Sequence, residues 1–218
     1  MVLRLPMPRL APLRDMRVSS SGWARRVATV LAAFGAVGVG TAAGLLLTAA
    51  AIRSDAIGTL RVGAWRLALD AGTPSVNPYV RARAARLGNI PLAAAQGLTA
   101  TARYDDAGQA LDGRCRYRLS GPVPAAQFWT LEAADLKGHP FDNAAERHGF
   151  TATDVLRGAD GRFTIAMSPD ASPGNWLPLP GAGRFMLVLR LYDTGLTSGG
   201  AAAARSAAWP TIEPLGCP

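Results

Sequence analysis

The sequence predicts a single membrane-spanning helix followed by an all-β sandwich. Three observations carry that expectation. One stretch of 26 residues, Val27–Ile52, lacks any charge. Beyond it, short alternating apolar runs are separated by Gly, Pro and Asp turn signals. One of those runs, Phe185–Tyr192 (FMLVLRLY), is apolar on nearly every position, as a strand buried within a sheet would be.

The apolar stretch comes first. Bounded by Arg26 and Arg53, Val27–Ile52 would span ~39 Å as an α-helix, more than the ~30 Å hydrocarbon core of a bilayer. Only a helix satisfies the backbone of a lone segment in lipid. Arg9, Arg14, Arg17, Arg25 and Arg26 crowd its N-terminal side, which orients it N-in and C-out. The predicted organisation is therefore a basic cytoplasmic segment (1–26), a transmembrane signal anchor (27–52) and an extracytoplasmic domain (53–218). Alternatives stay open. Ala49-Ala50-Ala51 supplies a small-x-small cleavage site, so release after Ala51 competes with anchoring, although a cleaved signal has a shorter apolar region. The Arg25-Arg26 pair lacks the following residues that twin-arginine export requires. Met16 is a second candidate start. Gly40 and Gly44 match the small-xxx-small pattern of helix pairs, a spacing that an Ala/Gly-rich helix also shows by chance.

Charge placement narrows the partner classes. The net charge is +8, and six arginines against Asp15 lie within the first 26 residues. From Arg53 onward 17 basic residues face 14 acidic ones, and Lys137 is the only lysine of the chain. The outer arginines are scattered and not clustered with aromatics, which argues against nucleic-acid binding. A membrane is the expected partner, with a glycan, a lipid or an envelope protein as candidate ligands of the outer domain.

In that domain Leu60, Val62, Leu67 and Leu69 predict a strand pair around Gly63. Pro78–Leu87 predicts the one soluble helix, with Pro at its first position and Gly88 as its stop. Strands follow at Leu98–Tyr104, Cys115–Leu119, Phe128–Glu132, Phe163–Met167 and Phe185–Tyr192, the last of them central. Thr194–Ala208 has no periodicity and reads as a mobile loop. Cys115 and Cys217 both fall on the oxidising side and allow a single pairing, so a Cys115–Cys217 bridge is expected.

Chemistry-bearing patterns are sparse. His139 and His148 belong to no ligand spacing, so no metal site is expected, and no motif calls for a cofactor. No nucleophile elbow is present, and no catalytic residue is assigned. Glu132 and Asp135 are candidate acid–base carboxylates for an envelope hydrolase acting on a carbohydrate. Asp105 and Asp106 sit in a turn where Asp serves the backbone. The aromatics point to a ligand groove instead: Trp129, Trp176, Arg190, Tyr192 and Asn175 would line it, with Arg190 paired inside or stacked on a Trp. Core packing accounts for the same aromatics without a ligand.

The segments Asn77-Pro78-Tyr79-x-Arg81-Ala82, Gly113-x-Cys115-x-Tyr117-x-Leu119, Phe128-Trp129-Thr130-Leu131, Gly161-x-Phe163-Thr164-Ile165, Asn175-Trp176-Leu177-Pro178 and Arg190-Leu191-Tyr192 resemble, in this order, domain-of-unknown-function family 1214. The resemblance runs from about Val62 to the C-terminus. It implies a β-sandwich of jelly-roll character and a bacterial cell-envelope location, here the inner membrane with a periplasmic domain. It implies no established activity. In larger members this domain follows a second one, where the present chain has the apolar helix. Phe128-Trp129-Thr130 departs from the commoner Trp-Trp-Ser form, which weakens any reading of that hydroxyl as a nucleophile.

Overall fold

The computed structural model describes residues 21–54, 56–88 and 90–218, and the chain divides between Thr48 and Ala49 into two units. Most of the first unit is helix α1, Ser21–Arg53, which encloses the predicted span. It is the one described helix long and apolar enough to cross a membrane. Its apolar side chains, among them Phe34, Val37, Leu45 and Leu46, are exposed. The arginines before Arg25, and Met16, lie outside the described residues.

The described residues of the second unit form a two-sheet sandwich of ten strands. In chain order these are β1 (Leu60–Val62), β2 (Trp65–Leu67), β3 (Gly97–Ala102), β4 (Arg116–Gly121), β5 (Phe128–Ala134), β6 (Gly149–Thr151), β7 (Phe163–Ser168), β8 (Trp176–Pro178), β9 (Met186–Tyr192) and β10 (Thr211–Gly216). One sheet runs β1-β2-β3-β9-β5-β6, the other β10-β4-β7-β8. Every pairing is antiparallel except β7 with β8, which is parallel. A parallel neighbour normally needs a long crossover. Here only three residues pair, so the short return through Pro169–Asn175 suffices.

Strand alternation places the core. Leu187, Leu189 and Leu191 of β9 point inward with Leu98 and Ala100 of β3 and Trp129 and Leu131 of β5, all essentially sealed from solvent. From the other sheet Tyr117, Leu119, Ile165, Met167 and Ile212 meet them. At roughly 25 cal/mol per Å² of apolar area removed from water, these side chains are the main force holding the sheets together. The predicted central strand thus lies in the middle of the larger sheet, between β3 and β5. Its outer side is apolar too, because Met186 and Val188 form a small second cluster with Ala134. β6 approaches β5 so closely that a Cβ on Gly149 would lie 2.2 Å from the Leu131 carbonyl oxygen, so only glycine fits there.

Helix α2, Pro78–Leu87, has the predicted bounds. The Asn77 side chain caps it by accepting from the Tyr79 N–H at 2.9 Å, and Gly88 ends it in the left-handed region at φ 64°. The expectation of a single soluble helix needs correcting. Thr194–Ala208 is not a loop but carries α3, Leu196–Ser206. Its Ala-rich second half favours helix, and Leu196 and Ala204 are buried in the main core. Gly200, at φ 64°, kinks it and erases the periodicity a sequence reading needs.

The Cys115–Cys217 bridge is formed. It joins the start of β4 to the tail following β10. Asp106 fixes β10 from the other end: its carboxylate accepts the Ile212 N–H at 2.6 Å, and its own N–H donates to the Ile212 carbonyl at 3.0 Å. Asp105 is buried and accepts the Gln109 N–H at 2.8 Å, so both turn aspartates serve the backbone as expected.

Candidate functional site

The outer face of the four-stranded sheet carries a cleft, and pleating decides what lines it. Residues of one parity on β4 (Tyr117, Leu119) enter the core, so Arg116, Arg118 and Ser120 project outward. On β7 the outward positions are Thr164 and Ala166, and on β10 Thr211 and Glu213. Register then brings them into rows. Thr211, Ser120 and Thr164 stand side by side across three strands, forming a row of hydroxyls. The Ser120 and Thr211 hydroxyl oxygens are 3.3 Å apart, and the Thr211 hydroxyl donates to the Ser120 carbonyl at 3.1 Å. The next row is Glu213, Arg118, Ala166 and Trp176. Across it Arg118 donates to Glu213 at 2.9 Å, an exposed pair worth ~0–1 kcal/mol.

Over the hydroxyl row lies a cleft of about 740 Å³, walled by the 156–162 and 173–175 segments and by Trp209. Asn175 fixes one wall. Its carbonyl oxygen accepts the Leu156 N–H at 2.7 Å, and its amide donates to the Leu156 and Thr164 carbonyls at 2.7 and 3.0 Å. Three hydrogen bonds from one buried amide leave that wall little freedom. Trp209 is held by its indole N–H on the Ala204 carbonyl, at 2.8 Å, and by its tilt against Trp65, with centroids 6.3 Å apart.

A neighbouring depression of about 400 Å³ shares Pro122, Asp160 and Arg162 with the cleft and reaches Trp129. Trp129 stacks on Phe163 at 5.2 Å. The Arg157 guanidinium lies 6.0 Å from the Trp129 centroid and 5.5 Å from that of Phe163, and donates to the Gly161 carbonyl at 3.0 Å. The carboxylate lining the cleft is Asp160, which accepts the Arg162 N–H at 3.0 Å.

The five residues expected to line one groove are not brought together. Trp129 and Asn175 border the joined depressions just described. Arg190 and Tyr192 project instead from the outer side of the six-stranded sheet. There Arg190 pairs with Glu132, and Tyr192 lies 6.0 Å from Phe128. A period of two along β5 and β9 forces this separation, because Trp129 faces inward opposite Leu191. Trp176 borders the hydroxyl face one row away, its indole donating to the Ser168 carbonyl at 3.1 Å.

Glu132 and Asp135 do not meet the cleft. Glu132 serves Arg190. Burial pushes the Asp135 carboxyl up, but the backbone N–H groups of His139 and Lys137 outweigh it and hold that carboxyl below its ordinary range. Among the described residues no three His, Cys, Asp or Glu side chains are grouped to hold a metal ion. Just before β4, three hydrogen bonds from Arg114, two from its guanidinium and one from its backbone N–H, hold the Asp112 carboxyl at about 2. The hydroxyl row was not found from sequence, since its members are far apart in the chain and only strand pairing assembles them.

The described residues thus form a two-sheet β-sandwich preceded by an apolar helix, the fold class that the motifs implied. Residues 96–195, from β3 to β9, match the model of the family described as "Protein of unknown function (DUF1214)", which supports the resemblance. The match is narrower than the resemblance suggested, and the Asn77–Ala82 segment lies before it. Among solved structures the chain is similar to the VPA0106 protein from Vibrio parahaemolyticus, with 23% identity, a TM-score of 0.52, and coverage of 65% of this chain and 36% of that one. That likeness shows a shared fold. An uncharacterised protein from Burkholderia cenocepacia matches at 18% identity and a TM-score of 0.36, covering 56% of this chain and 30% of that one. The chain thus spans about a third of the length of either solved relative. Comparison with curated proteins gave no match.

Proposed function

We propose that this protein is a bacterial inner-membrane envelope module, anchored by α1, whose periplasmic sandwich binds a glycan on the outer face of the four-stranded sheet. One observation carries the reading: the Thr211–Ser120–Thr164 hydroxyl row lies exposed on a cleft floor, with Trp209 beside it and guanidinium and carboxylate groups next to it. Hydroxyls donate and accept at once, as sugar hydroxyls do, and an aromatic rim offers the flat apolar surface a pyranose ring stacks on. Anchoring draws support from the length and apolarity of α1, and the oxidising compartment from the Cys115–Cys217 bridge. Hydrolysis would need a second carboxylate within ~5–10 Å of Asp160 across the bound sugar.

The test uses the full chain solubilised in detergent and co-sedimented with isolated peptidoglycan sacculi. Ala166→Trp, at a half-buried outward position on the floor, fills the cleft without entering the core. Binding by the native chain and its loss in Ala166→Trp at unchanged melting temperature is the expected outcome. Equal retention of both proteins on sacculi refutes the cleft, and release of soluble muropeptides by the native chain would make it an enzyme.

A further inference from the structure

A second depression, of about 560 Å³, opens at the other end of β4 around Arg116, Asp170 and Gly216. It lies on the same face as the cleft, because Arg116, Arg118 and Ser120 are alternate residues of one strand. At ~3.3 Å per residue the floor from Arg116 to Ser120 is ~13 Å long before either depression is added. Between the two stands the Arg118–Glu213 pair. A ligand confined to one depression would leave the other empty.

Charge along this line is balanced group by group. Arg116 shares its depression with Asp170 and with Arg114, which is itself paired with Asp112 at 3.0 Å; Arg118 donates to Glu213, and Arg162 lies 3.8 Å from Asp160. A polyanion would meet a carboxylate at each station, whereas an uncharged chain of hydroxyls finds a donor and an acceptor side by side. The Arg118–Glu213 and Arg162–Asp160 pairs are exposed, and such pairs are weak, so a ligand hydroxyl exchanges into them at little cost. Resting on the glycan reading above, we infer that the face holds an extended uncharged polysaccharide, several rings long, laid along β4 from the Ser120 cleft to the Arg116 depression.

The experiment is calorimetric titration of the detergent-solubilised full chain with chito- and cello-oligosaccharides of increasing length. Affinity in one series should rise by about tenfold or more from two rings to six. Arg116→Ala, an exposed change, should weaken the six-ring ligand about fivefold or more while leaving the two-ring ligand unchanged. Six rings binding no tighter than two would overturn the extended site while leaving the cleft in place. Tighter binding of chondroitin sulfate than of either neutral series would overturn the uncharged ligand. Failure of both series and of sacculi to bind would remove the glycan reading itself and this inference with it.

Discussion

Breaking the Cys115–Cys217 bridge at its exposed end should destabilise the sandwich strongly. The bonded residues are 102 apart in sequence. In the chain-entropy treatment a loop of that length restricts the unfolded ensemble by about 4.7 kcal/mol at 25 °C. Cys217 is the half to change, because it is exposed while Cys115 is buried at 4% and remains acceptable there as a thiol. Cys217→Ser therefore leaves the native packing intact and acts through the unfolded chain. With an unfolding entropy of ~2.1 cal/mol/K per residue over a domain of roughly 165 residues, the loss corresponds to a fall in Tm of about 14 °C. Thermal unfolding of the detergent-solubilised protein, followed by near-ultraviolet circular dichroism, reads it directly. Native protein under strong reductant should shift by the same amount. A drop below about 4 °C, accompanied by faster amide exchange confined to β10, would refute the reasoning: the bridge would then only stop a terminal strand from fraying.

Other expectations concern the packing around the cleft. Trp129→Phe removes part of a buried ring stacked on Phe163 and should cost about 1–2 kcal/mol in urea unfolding. Trp176→Phe loses one indole hydrogen bond and should cost ~1 kcal/mol or less, so an equal, negligible shift for both would contradict the placement of Trp129 in the core. Asn175→Ala strips three hydrogen bonds from the 156 wall and leaves two carbonyls and an N–H unpaired, a loss of about 2–3 kcal/mol. Its mark is raised amide exchange at Leu156, and unchanged protection there would count against the wall's being fixed by Asn175. Asp112 is depressed to about 2 in the folded protein by its hydrogen bonds to Arg114, so its stabilising contribution is complete above the ordinary carboxylate pKa. That contribution is lost as pH falls from about 4 toward 2, where the folded carboxyl finally protonates. Asp112→Asn should flatten the Tm–pH curve in that window alone, and an unchanged acid limb would show that the pair contributes nothing.

Some elements were legible because local and long-range signals agreed. Asn77-Pro78 and Gly88 are start and stop signals that act within a few residues, and α2 obeys them to the residue. β9 was legible because Leu187, Leu189 and Leu191 fill the core while Met186 and Val188 are covered on the other side. Arg190 marks where that cover ends, and its partner Glu132 lies on the adjacent strand, one diagonal step away. β10 escaped notice because Ile212 is its sole inward residue and Pro214 disrupts its register. β8, three residues long, gives no alternation to read. Of the site, Trp129 and Asn175 could be picked out as unusual residues. Thr211, Ser120 and Thr164 could not, since a hydroxyl on an exposed strand is unremarkable until its neighbours across the sheet are known.

The link between Cys115 and Cys217 also makes the chain topologically a ring with a tail. Strands β4 to β10 lie inside the ring, while β1, β2, β3 and α2 lie on the tail. One proteolytic cut in a loop such as 142–148 or 169–174 would open the ring without dividing the molecule, since both new ends remain joined through sulfur. A protein nicked within the ring would run as one band until reduced, and a protease would have to cut the ring twice, or wait for a reductant, before any piece of β4–β10 left.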